Sequence, residues 1–176
     1  MMKLLPGIHE LDLRAFAWCM QCKRRTTFTE LSRYLSRSAD GPAYVLVFLA
    51  LLAWHPVFDL QWLWAVVVAF SAERLIYFAA KNSFRRNRPQ AAIAGFRSFI
   101  RPSDEFSFPS GHTSGAFLFA VVLAHLFPSL TPWLFAWAVS IGASRVFLGV
   151  HFPTDTLVGA LLGSTIASLV MQGLML

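Results

Sequence analysis

Charged residues are scarce in this sequence, and cysteine is nearly absent. Only 14% of the 176 residues are charged, whereas 56% are hydrophobic. Soluble domains usually carry about 25% charged residues, so this composition excludes both an ordinary soluble domain and a disordered chain. Cys19 and Cys22 are the only two cysteines, which excludes a disulfide-stabilised scaffold. The composition therefore predicts a chain whose surroundings are largely lipid.

The sequence has long apolar runs instead. Five of them are long enough for a helix to cross a bilayer, and they cover residues 41–58, 60–80, 111–127, 132–150 and 156–176. Short turns containing proline join the first run to the second and the third to the fourth, which predicts helical hairpins. Gly159 and Gly163 have the spacing that permits close helix packing in membranes. We therefore predict an all-α integral membrane bundle with five transmembrane helices.

The N-terminal region has a different pattern. Apolar residues such as Leu11, Phe16 and Leu31 are interleaved with basic residues such as Arg14 and Arg33. A basic amphipathic pattern is typical of a helix that lies in the membrane interface rather than crossing it. The pattern therefore predicts an interfacial amphipathic segment over residues 1–40, followed by a membrane-embedded domain over residues 41–176.

The connection between the second and third runs, residues 81–110, is far longer than those on the opposite face of the predicted bundle. Connections of this length in a compact fold are usually functional. Six cations are interleaved with phenylalanines here, namely Lys81, Arg85, Arg86, Arg88, Arg97 and Arg101. Taken alone, this composition favours a simple explanation, in which cations attract anionic headgroups and aromatic rings anchor at the interface.

Counting the crossings places other unusual residues at the same membrane surface as this connection. The second and fourth runs end there, and the third and fifth begin there. The residues at this surface are Lys81, Arg88, Ser110, His112, Arg145, His151 and Asp155. Ser110 is expected to cap the helix that starts at Gly111, and the exposed N–H groups of that helix start suit a phosphate. Packing alone does not explain such a set.

This set of residues suits phosphoryl transfer. In that reaction negative charge spreads over three oxygens and is stabilised mainly by positioning and electrostatics. Lys81 would act as a point charge, while Arg88 and Arg145 would each offer a two-pronged fork. No metal or other cofactor is predicted, because the sequence has no carboxylate cluster suited to magnesium at this surface.

The two histidines have separate predicted roles. One must attack phosphorus as a neutral imidazole, and the other must protonate the departing oxygen. Asp155 follows His151 by four residues and is placed to accept a hydrogen bond from its ring, which would stabilise the charge that attack creates. We therefore predict His151 as the nucleophile and His112 as the acid.

Three segments together resemble a known family. Residues 81–89 (KNSFRRNRP), 109–112 (PSGH) and 144–155 (SRVFLGVHFPTD) are similar, in order and spacing, to the three-part signature of the type 2 phosphatidic acid phosphatases, which are related to vanadium haloperoxidases. The resemblance implies a metal-independent membrane phosphatase with a phosphohistidine on His151, His112 as general acid and Asp155 as the partner of His151. It implies these phosphate ligands: Lys81, Arg88, Ser110, Gly111 and Arg145. Many bacterial members have six spans, whereas the interfacial region replaces the first span here.

Two classes of function remain open at this point. The first is a lipid phosphatase or diphosphatase acting on a substrate such as undecaprenyl diphosphate, phosphatidylglycerophosphate or phosphatidate. The second is a non-hydrolytic protein, either a lipid-phosphate binder or carrier or a haloperoxidase-like protein. Retention of both histidines and Asp155 favours catalysis, and the predicted partners are the lipid bilayer and a lipid phosphate, not nucleic acid. The sequence leaves the substrate and the oligomeric state open.

A charged pair, Glu73 and Arg74, lies inside the second run. Charged residues within membrane helices are costly and normally face the interior of the bundle. Arg74 lies seven residues before Lys81, on nearly the same helical face. Two interpretations are equally consistent with this position: Arg74 extends the positive wall beneath the site, or Glu73 or Arg74 pairs with another helix.

The distribution of positive charge predicts the orientation. Of 15 Lys and Arg residues, Arg74 lies within a run and the other 14 lie on the side of the predicted site. Setting aside Lys81, Arg88 and Arg145 leaves 11 cations on this side and none on the other. The positive-inside rule then predicts a multi-pass protein of the cell (inner) membrane with its site on the cytoplasmic face.

Overall fold

The structure, a computed structural model, describes residues 6–21, 25–102 and 104–174. Within those ranges the chain forms eight α-helices and no strand. The helices are α1 (Pro6–Met20), α2 (Arg25–Ser38), α3 (Gly41–Trp54), α4 (Leu60–Phe84), α5 (Pro89–Ala92), α6 (Gly111–Leu126), α7 (Thr131–Phe147) and α8 (Pro153–Gly173). A 3₁₀ turn, Pro128–Leu130, separates α6 from α7, and Asn87 forms an isolated antiparallel bridge with Phe106.

The predicted apolar runs become helices α3, α4, α6, α7 and α8, and local capping sets the bounds of α4. The Asp59 carboxylate accepts hydrogen bonds from the backbone N–H groups of Gln61 at 2.9 Å and Trp62 at 3.1 Å, which fixes the start of α4. Its end comes where Arg85 adopts a left-handed conformation with φ of 46°. Lys81 therefore lies in the last turn of α4, not in the connection that follows.

Helix α6 is the centre of the bundle, packed between α7 and α8. Gly159 and Gly163 of α8 face α6 so closely that a Cβ at these positions would lie 2.6 Å from the Ser110 carbonyl oxygen and 2.0 Å from the Ser114 carbonyl oxygen. The close packing predicted from this glycine pair is thus confirmed. It also brings the N-terminal ends of α6 and α8 together, where the Ser110 N–H donates to the Asp155 carbonyl oxygen at 3.0 Å.

The outer faces of the bundle are apolar and exposed. Leu46, Leu75 and Leu161 are each more than 65% exposed, as expected of side chains that face lipid. Among the described residues, α4 and α8 are each long and apolar enough to cross a membrane, and Thr27–Ser38 with Gly41–Trp54, bent by 47°, passes the same test as a pair. The count of five crossings stays a prediction, because α6 is a shorter apolar helix.

The N-terminal region forms two helices that pack on the bundle. Helix α2 lies against α7, and α1 contacts α7 and α8. Phe16 of α1 is 1% exposed and packs edge-on against the rings of Phe96 and Phe152. The region is therefore in contact with the rest of the fold, while its location in the membrane interface stays a prediction. Lys3, Lys23 and Arg24, three of the cations counted above, lie outside the described residues.

Candidate active site

The predicted site residues converge at one end of the bundle. They come from the ends and starts of several elements: Lys81 from α4, Arg88 from the start of α5, Ser110, Gly111 and His112 from the start of α6, Arg145 from α7, His151 from the α7–α8 connection and Asp155 from the first turn of α8. Five of them line one cavity, namely Arg88, Gly111, His112, Arg145 and His151. Lys81, Ser110 and Asp155 lie behind this lining and are buried.

The imidazole of His151 is held by a backbone carbonyl. Its Nδ1 lies 2.7 Å from the carbonyl oxygen of Ser107. A carbonyl oxygen only accepts hydrogen bonds, so we assign the proton to Nδ1, which leaves the lone pair on Nε2. Nε2 lies 3.4 Å from Nη1 of Arg88. Burial lowers the pKa of His151 to about 4, despite the opposing effect of Asp155, so the ring is neutral at pH 7.

The expected direct hydrogen bond between His151 and Asp155 is not present. The nearest carboxylate oxygen of Asp155 lies 3.8 Å from His151 Nδ1, beyond hydrogen-bonding distance. Both oxygens of Asp155 have other donors, because Oδ2 accepts from the Phe152 N–H at 2.8 Å and Oδ1 accepts from Arg86 at 2.7 Å. Asp155 therefore acts on His151 through its charge, while Ser107 orients the ring.

Two of the predicted phosphate ligands bind a carboxylate that the sequence analysis did not single out. Asp104 accepts a hydrogen bond from Arg88 and lies 2.7 Å from Lys81 Nζ, while the Tyr77 hydroxyl donates to it at 2.9 Å. Burial would raise the pKa of Asp104, but the adjacent Lys81 and Arg88 outweigh it and lower the pKa to about 2. The carboxylate is thus ionised and shares these two cations with anything that binds there.

Arg145 and His112, two further predicted site residues, are contacted from the N-terminal region. Nη1 of Arg145 donates to the Ser36 hydroxyl of α2 at 2.5 Å. Nε2 of His112 lies 3.1 Å from Oδ1 of Asp40, the residue that precedes α3. Neither contact was predicted, because the sequence analysis assigned residues 1–40 to the membrane surface and not to the site.

The start of α6 differs in detail from the prediction. Ser110 is the N-cap residue, but its side chain makes no capping hydrogen bond. Its hydroxyl instead pairs with the Thr113 hydroxyl at 2.9 Å, and the residue is fully buried. Gly111 packs against Tyr77, since a Cβ at residue 111 would lie 3.0 Å from that ring. The absence of a side chain at Gly111 therefore keeps the start of α6 close to α4.

Arg86 contacts a predicted site residue, Asp155, and the sequence analysis did not single it out. It was one of six cations in the connection, and its spacing did not distinguish it from its neighbours. In the structure its Nη1 donates to Asp155 and its Nη2 donates to Asp12 of α1, each at 2.7 Å. Arg86 is buried, whereas the adjacent Arg85 is exposed.

The cavity joins this polar end to an apolar groove between α3 and α4. Its volume is about 780 Å³. The polar end contains Arg88, His112, Arg145 and His151, and the groove is lined by apolar side chains that include Tyr44, Phe48, Leu63, Val67 and Phe70. The arrangement offers cations and histidines to a headgroup and an apolar wall to a hydrocarbon chain.

The intramembrane charged pair lies on the wall of this cavity. Glu73 is fully buried and accepts from Nε and Nη2 of Arg74 at 2.5 and 2.6 Å. The ion pair therefore forms between adjacent residues of one helix, and Nη2 of Arg74 also lies 3.5 Å from the carbonyl oxygen of Gly111 in α6. Arg74 lines the cavity and lies over the Tyr77 ring, 4.2 Å from its centroid, so its guanidinium, paired with Glu73, is part of the cavity wall.

Comparison with known proteins places the chain in a family. Residues 62–175 match the model of the PAP2 superfamily, which is more than half of the chain, so the chain belongs to that superfamily. This agrees with the resemblance seen in the three sequence motifs. The family, together with the apolar spans, makes the chain a membrane protein.

Curated relatives carry names of lipid phosphatases. Phosphatidylglycerophosphatase B of Bacillus subtilis is 35% identical over 109 residues, which cover 56% of this chain and 51% of that protein. The putative undecaprenyl-diphosphatase YbjG of Escherichia coli is 31% identical over 120 residues, which cover 58% of this chain and 57% of that protein. The chain thus spans about half the length of the curated relatives it matches.

Solved structures share the fold over nearly the whole chain. LpxE of Aquifex aeolicus superimposes with a TM-score of 0.81 and 25% identity, covering 92% of this chain and 95% of that one. A PAP2-type phosphatidylglycerolphosphate phosphatase of Bacillus subtilis superimposes with a TM-score of 0.79 and 24% identity, covering 96% and 86% respectively. The second likeness is evidence for the fold alone.

Proposed function

We propose that this protein is a membrane lipid phosphatase that removes a phosphomonoester or diphosphate headgroup through a phosphohistidine on His151. One observation carries the proposal. A neutral His151, with its lone pair on Nε2, lines the same cavity as Arg88, Arg145 and His112, and that cavity continues into an apolar groove. Names of the relatives, which include phosphatidylglycerophosphatase, lipid A phosphatase and undecaprenyl-diphosphatase, support the same substrate class.

The reaction runs in two steps. Nε2 of His151 attacks phosphorus, the bond from phosphorus to the leaving oxygen breaks, and protonated His112 donates a proton to that oxygen. A water molecule then attacks the phosphohistidine, His112 takes a proton from this water, and the phosphorus–nitrogen bond breaks to release inorganic phosphate and free His151. Asp40 supports the charged form of His112, and Asp155 supports the charged form of His151.

Cations and backbone N–H groups stabilise the charge that builds on the phosphoryl oxygens. Arg88 and Arg145 line the polar end of the cavity with Lys81 buried behind them, and the N-terminal end of α6, which follows Ser110 at Gly111, adds the N–H groups of its first turn and its dipole. These groups are fixed by the fold before substrate binds, so little reorganisation is needed during the reaction. All the charge stabilisation comes from side chains and backbone, so the proposed chemistry does not require a metal ion.

The groove between α3 and α4 accounts for a lipid substrate. A hydrocarbon chain lying along Phe48, Val67 and Phe70 would keep the headgroup beside His151. We propose that α3, α4, α6, α7 and α8 each cross the membrane as the unit 41–176, with α1 and α2 packed on its cytoplasmic side. In this arrangement a lipid enters the groove from within the bilayer.

Phosphate release by the purified protein tests the proposal. The full chain in detergent is given phosphatidylglycerophosphate, undecaprenyl diphosphate, phosphatidate and lipid A in separate assays with EDTA present. We expect release from at least one lipid, undiminished by EDTA, and none from His151→Ala. A trapped radiolabelled phosphate on the wild type and not on His151→Ala would support the intermediate, whereas label retained on His151→Ala would contradict it.

A further inference from the structure

A guanidinium bridges two buried carboxylates behind the candidate active site. Arg86 Nη1 donates to Asp155 Oδ1 and Arg86 Nη2 donates to Asp12 Oδ2, each at 2.7 Å. The side chains of Asp12 and Asp155 are 1% and 0% exposed. Asp12 belongs to α1 and Asp155 to α8, so the bridge connects the N-terminal helix with the carboxylate that lies beside the proposed nucleophile.

The geometry of this bridge is fixed at both carboxylates. Asp12 accepts from the backbone N–H of Thr154 at 3.0 Å and also from the Thr154 hydroxyl. Asp155 accepts from the backbone N–H of Phe152 at 2.8 Å, and the Arg86 guanidinium lies over the Phe152 ring, 4.4 Å from its centroid. All four carboxylate oxygens therefore have donors. Movement of Arg86 would shift Asp155 with it.

Docking of α1 does not explain this bridge. Phe16 already provides an apolar anchor for α1, packed against Phe96 and Phe152. Burying charged groups carries a large desolvation cost, and apolar replacements of buried ion clusters often leave stability unchanged or raised. Three buried charged groups, with one end of the cluster 3.8 Å from His151, point to a role in the reaction.

We propose that Asp12 and Arg86 are positioning residues, which hold the Asp155 carboxylate where it stabilises the positive charge that forms on His151. The role in stabilising charge on His151 rests on the proposed function, whereas the contacts of Arg86 with Asp12 and Asp155 are independent of it. The charged groups that face His151 are Asp155 on α8, Arg88 before α5 and Arg145 on α7. Arg86 acts one contact further away, through Asp155, and Asp12 acts one contact beyond Arg86. Helix α1, which lies outside the matched residues 62–175, thereby becomes part of the catalytic assembly.

The first test compares two carboxylates of the same helix. Asp12→Asn removes the buried carboxylate with almost no change in shape, while Glu10→Gln removes an exposed one that pairs with Arg14. We expect Asp12→Asn to lower kcat about 10- to 100-fold, the range found for groups that orient the ligands of metal sites. KM should stay unchanged, because Asp12 does not line the cavity. Glu10→Gln should behave as wild type, and an Asp12→Asn kcat equal to that of Glu10→Gln would overturn the proposal.

The second test does not depend on knowing the substrate. Titration of His151 by nitrogen NMR of the full chain in micelles, with the signal assigned by its loss in His151→Gln, reports the charge near the ring. In Asp12→Asn the positive charge of Arg86 is less neutralised, so the pKa of His151 should fall below its wild-type value. Glu10→Gln should leave it unchanged. An unchanged pKa in Asp12→Asn would count against the positioning role even if no lipid is hydrolysed.

A third variant keeps the positive charge of residue 86 but removes the planar, two-pronged guanidinium. Arg86→Lys retains a cation but cannot bond Asp12 and Asp155 in the same planar geometry. We expect a kcat about tenfold or more below wild type, with Arg85→Lys as the exposed matched control. Wild-type kcat in Arg86→Lys would overturn the proposal. This variant also tests the proposal if Asp12→Asn does not fold. Failure of the wild type to release phosphate from any lipid would contradict the proposed function instead, and the His151 titration would still decide the positioning role.

Discussion

Asp104 and Lys81 form an ion pair at the polar end of the cavity, with Oδ2 of Asp104 2.7 Å from Nζ of Lys81. Arg88 donates to the other oxygen of the same carboxylate. Both cations are proposed phosphate ligands. If these roles hold, a phosphoryl group competes with a carboxylate of the chain itself for these two donors, and we expect this competition to weaken anion binding.

Removing the charge of Asp104 should tighten the binding of anions. The Asp104→Asn variant frees Lys81 and Arg88 from a partner that is ionised throughout the neutral range, because the pKa of Asp104 is lowered to about 2. For a partly exposed pair the gain is about 1 kcal/mol, or about fivefold in an inhibition constant. Inhibition of phosphate release by orthovanadate, a mimic of five-coordinate phosphorus, measures it. The neighbouring exposed Glu105→Gln is the control, and weaker inhibition of Asp104→Asn would show that Asp104 assists anion binding.

The free energy of unfolding should decrease as pH falls, over a pH range set by His151. Burial lowers the pKa of His151 from 6.5 to about 4, so the unfolded chain binds a proton more readily than the folded chain between these two values. The free energy of unfolding contributed by this group is therefore fully present above pH 6.5 and decreases as pH falls towards 4, by up to about 3 kcal/mol. Unfolding of the purified protein by added denaturing detergent at several pH values measures it. His151→Gln should show a correspondingly shallower decrease, and an identical pH dependence would contradict the burial of a neutral ring.

The two-pronged guanidinium of Arg145 should be needed for turnover. Its side chain is buried, lines the cavity and is held by Ser36, so it is oriented before substrate binds. Losing one preorganised donor typically raises the barrier by about 2.7 to 4 kcal/mol, which predicts a loss of about 100- to 1,000-fold in kcat for Arg145→Ala. Arg145→Lys should also be impaired, because a point charge does not replace a fork. As the control, Arg101→Ala removes an exposed cation from the same side and should leave kcat unchanged. Wild-type turnover in Arg145→Ala would show that Arg145 only binds the lipid headgroup and does not stabilise the transition state.

Close packing of α8 on α6 should be sensitive to a single methyl group. A Cβ at Gly163 would lie 2.0 Å from the Ser114 carbonyl oxygen, so Gly163→Ala must move one helix away from the other. Overpacking of this kind typically destabilises by about 1 to 3 kcal/mol. It would also displace Asp155 from the start of α6, so activity and thermal stability should fall together. Gly173→Ala, where nothing lies within 4 Å of the added carbon, is the matched control; equal melting temperatures for the two variants would contradict this packing.

Motif spacing in the sequence was enough to predict which residues meet at the site. The two histidines, Asp155 and the three cations lie next to helix ends, and hydropathy indicates roughly where those ends fall. Helical hairpins then bring them to one end of the bundle. The prediction of a direct hydrogen bond from His151 to Asp155 was wrong. A spacing of four residues determines which face of a helix a residue occupies, but not which of several acceptors its side chain reaches.

Contacts from the N-terminal region could not be predicted in this way. Asp12 bonds Thr154, 142 residues away, and Ser36 bonds Arg145, 109 residues away. In the sequence Asp12 looks no different from Glu10, although one is buried in an ion cluster and the other is exposed. Only the packing of α1 on α7 and α8 separates them, and no local pattern encodes that packing.

The proposed cytoplasmic orientation follows from the distribution of charge and can be tested directly. Positive residues near membrane helices are retained in the cytoplasm, and the connection carrying Arg85, Arg97 and Arg101 lies on the side of the site, whereas the turn at Ser129 carries no cation. In a variant without Cys19 and Cys22, single cysteines are placed at the exposed Gln90 or at the exposed Ser129. A membrane-impermeant thiol reagent applied to intact cells should modify Ser129→Cys, and it should modify Gln90→Cys only after permeabilisation. The reverse pattern would place the site on the outer face, and the proposed lipid substrate would then have to be present in the outer leaflet.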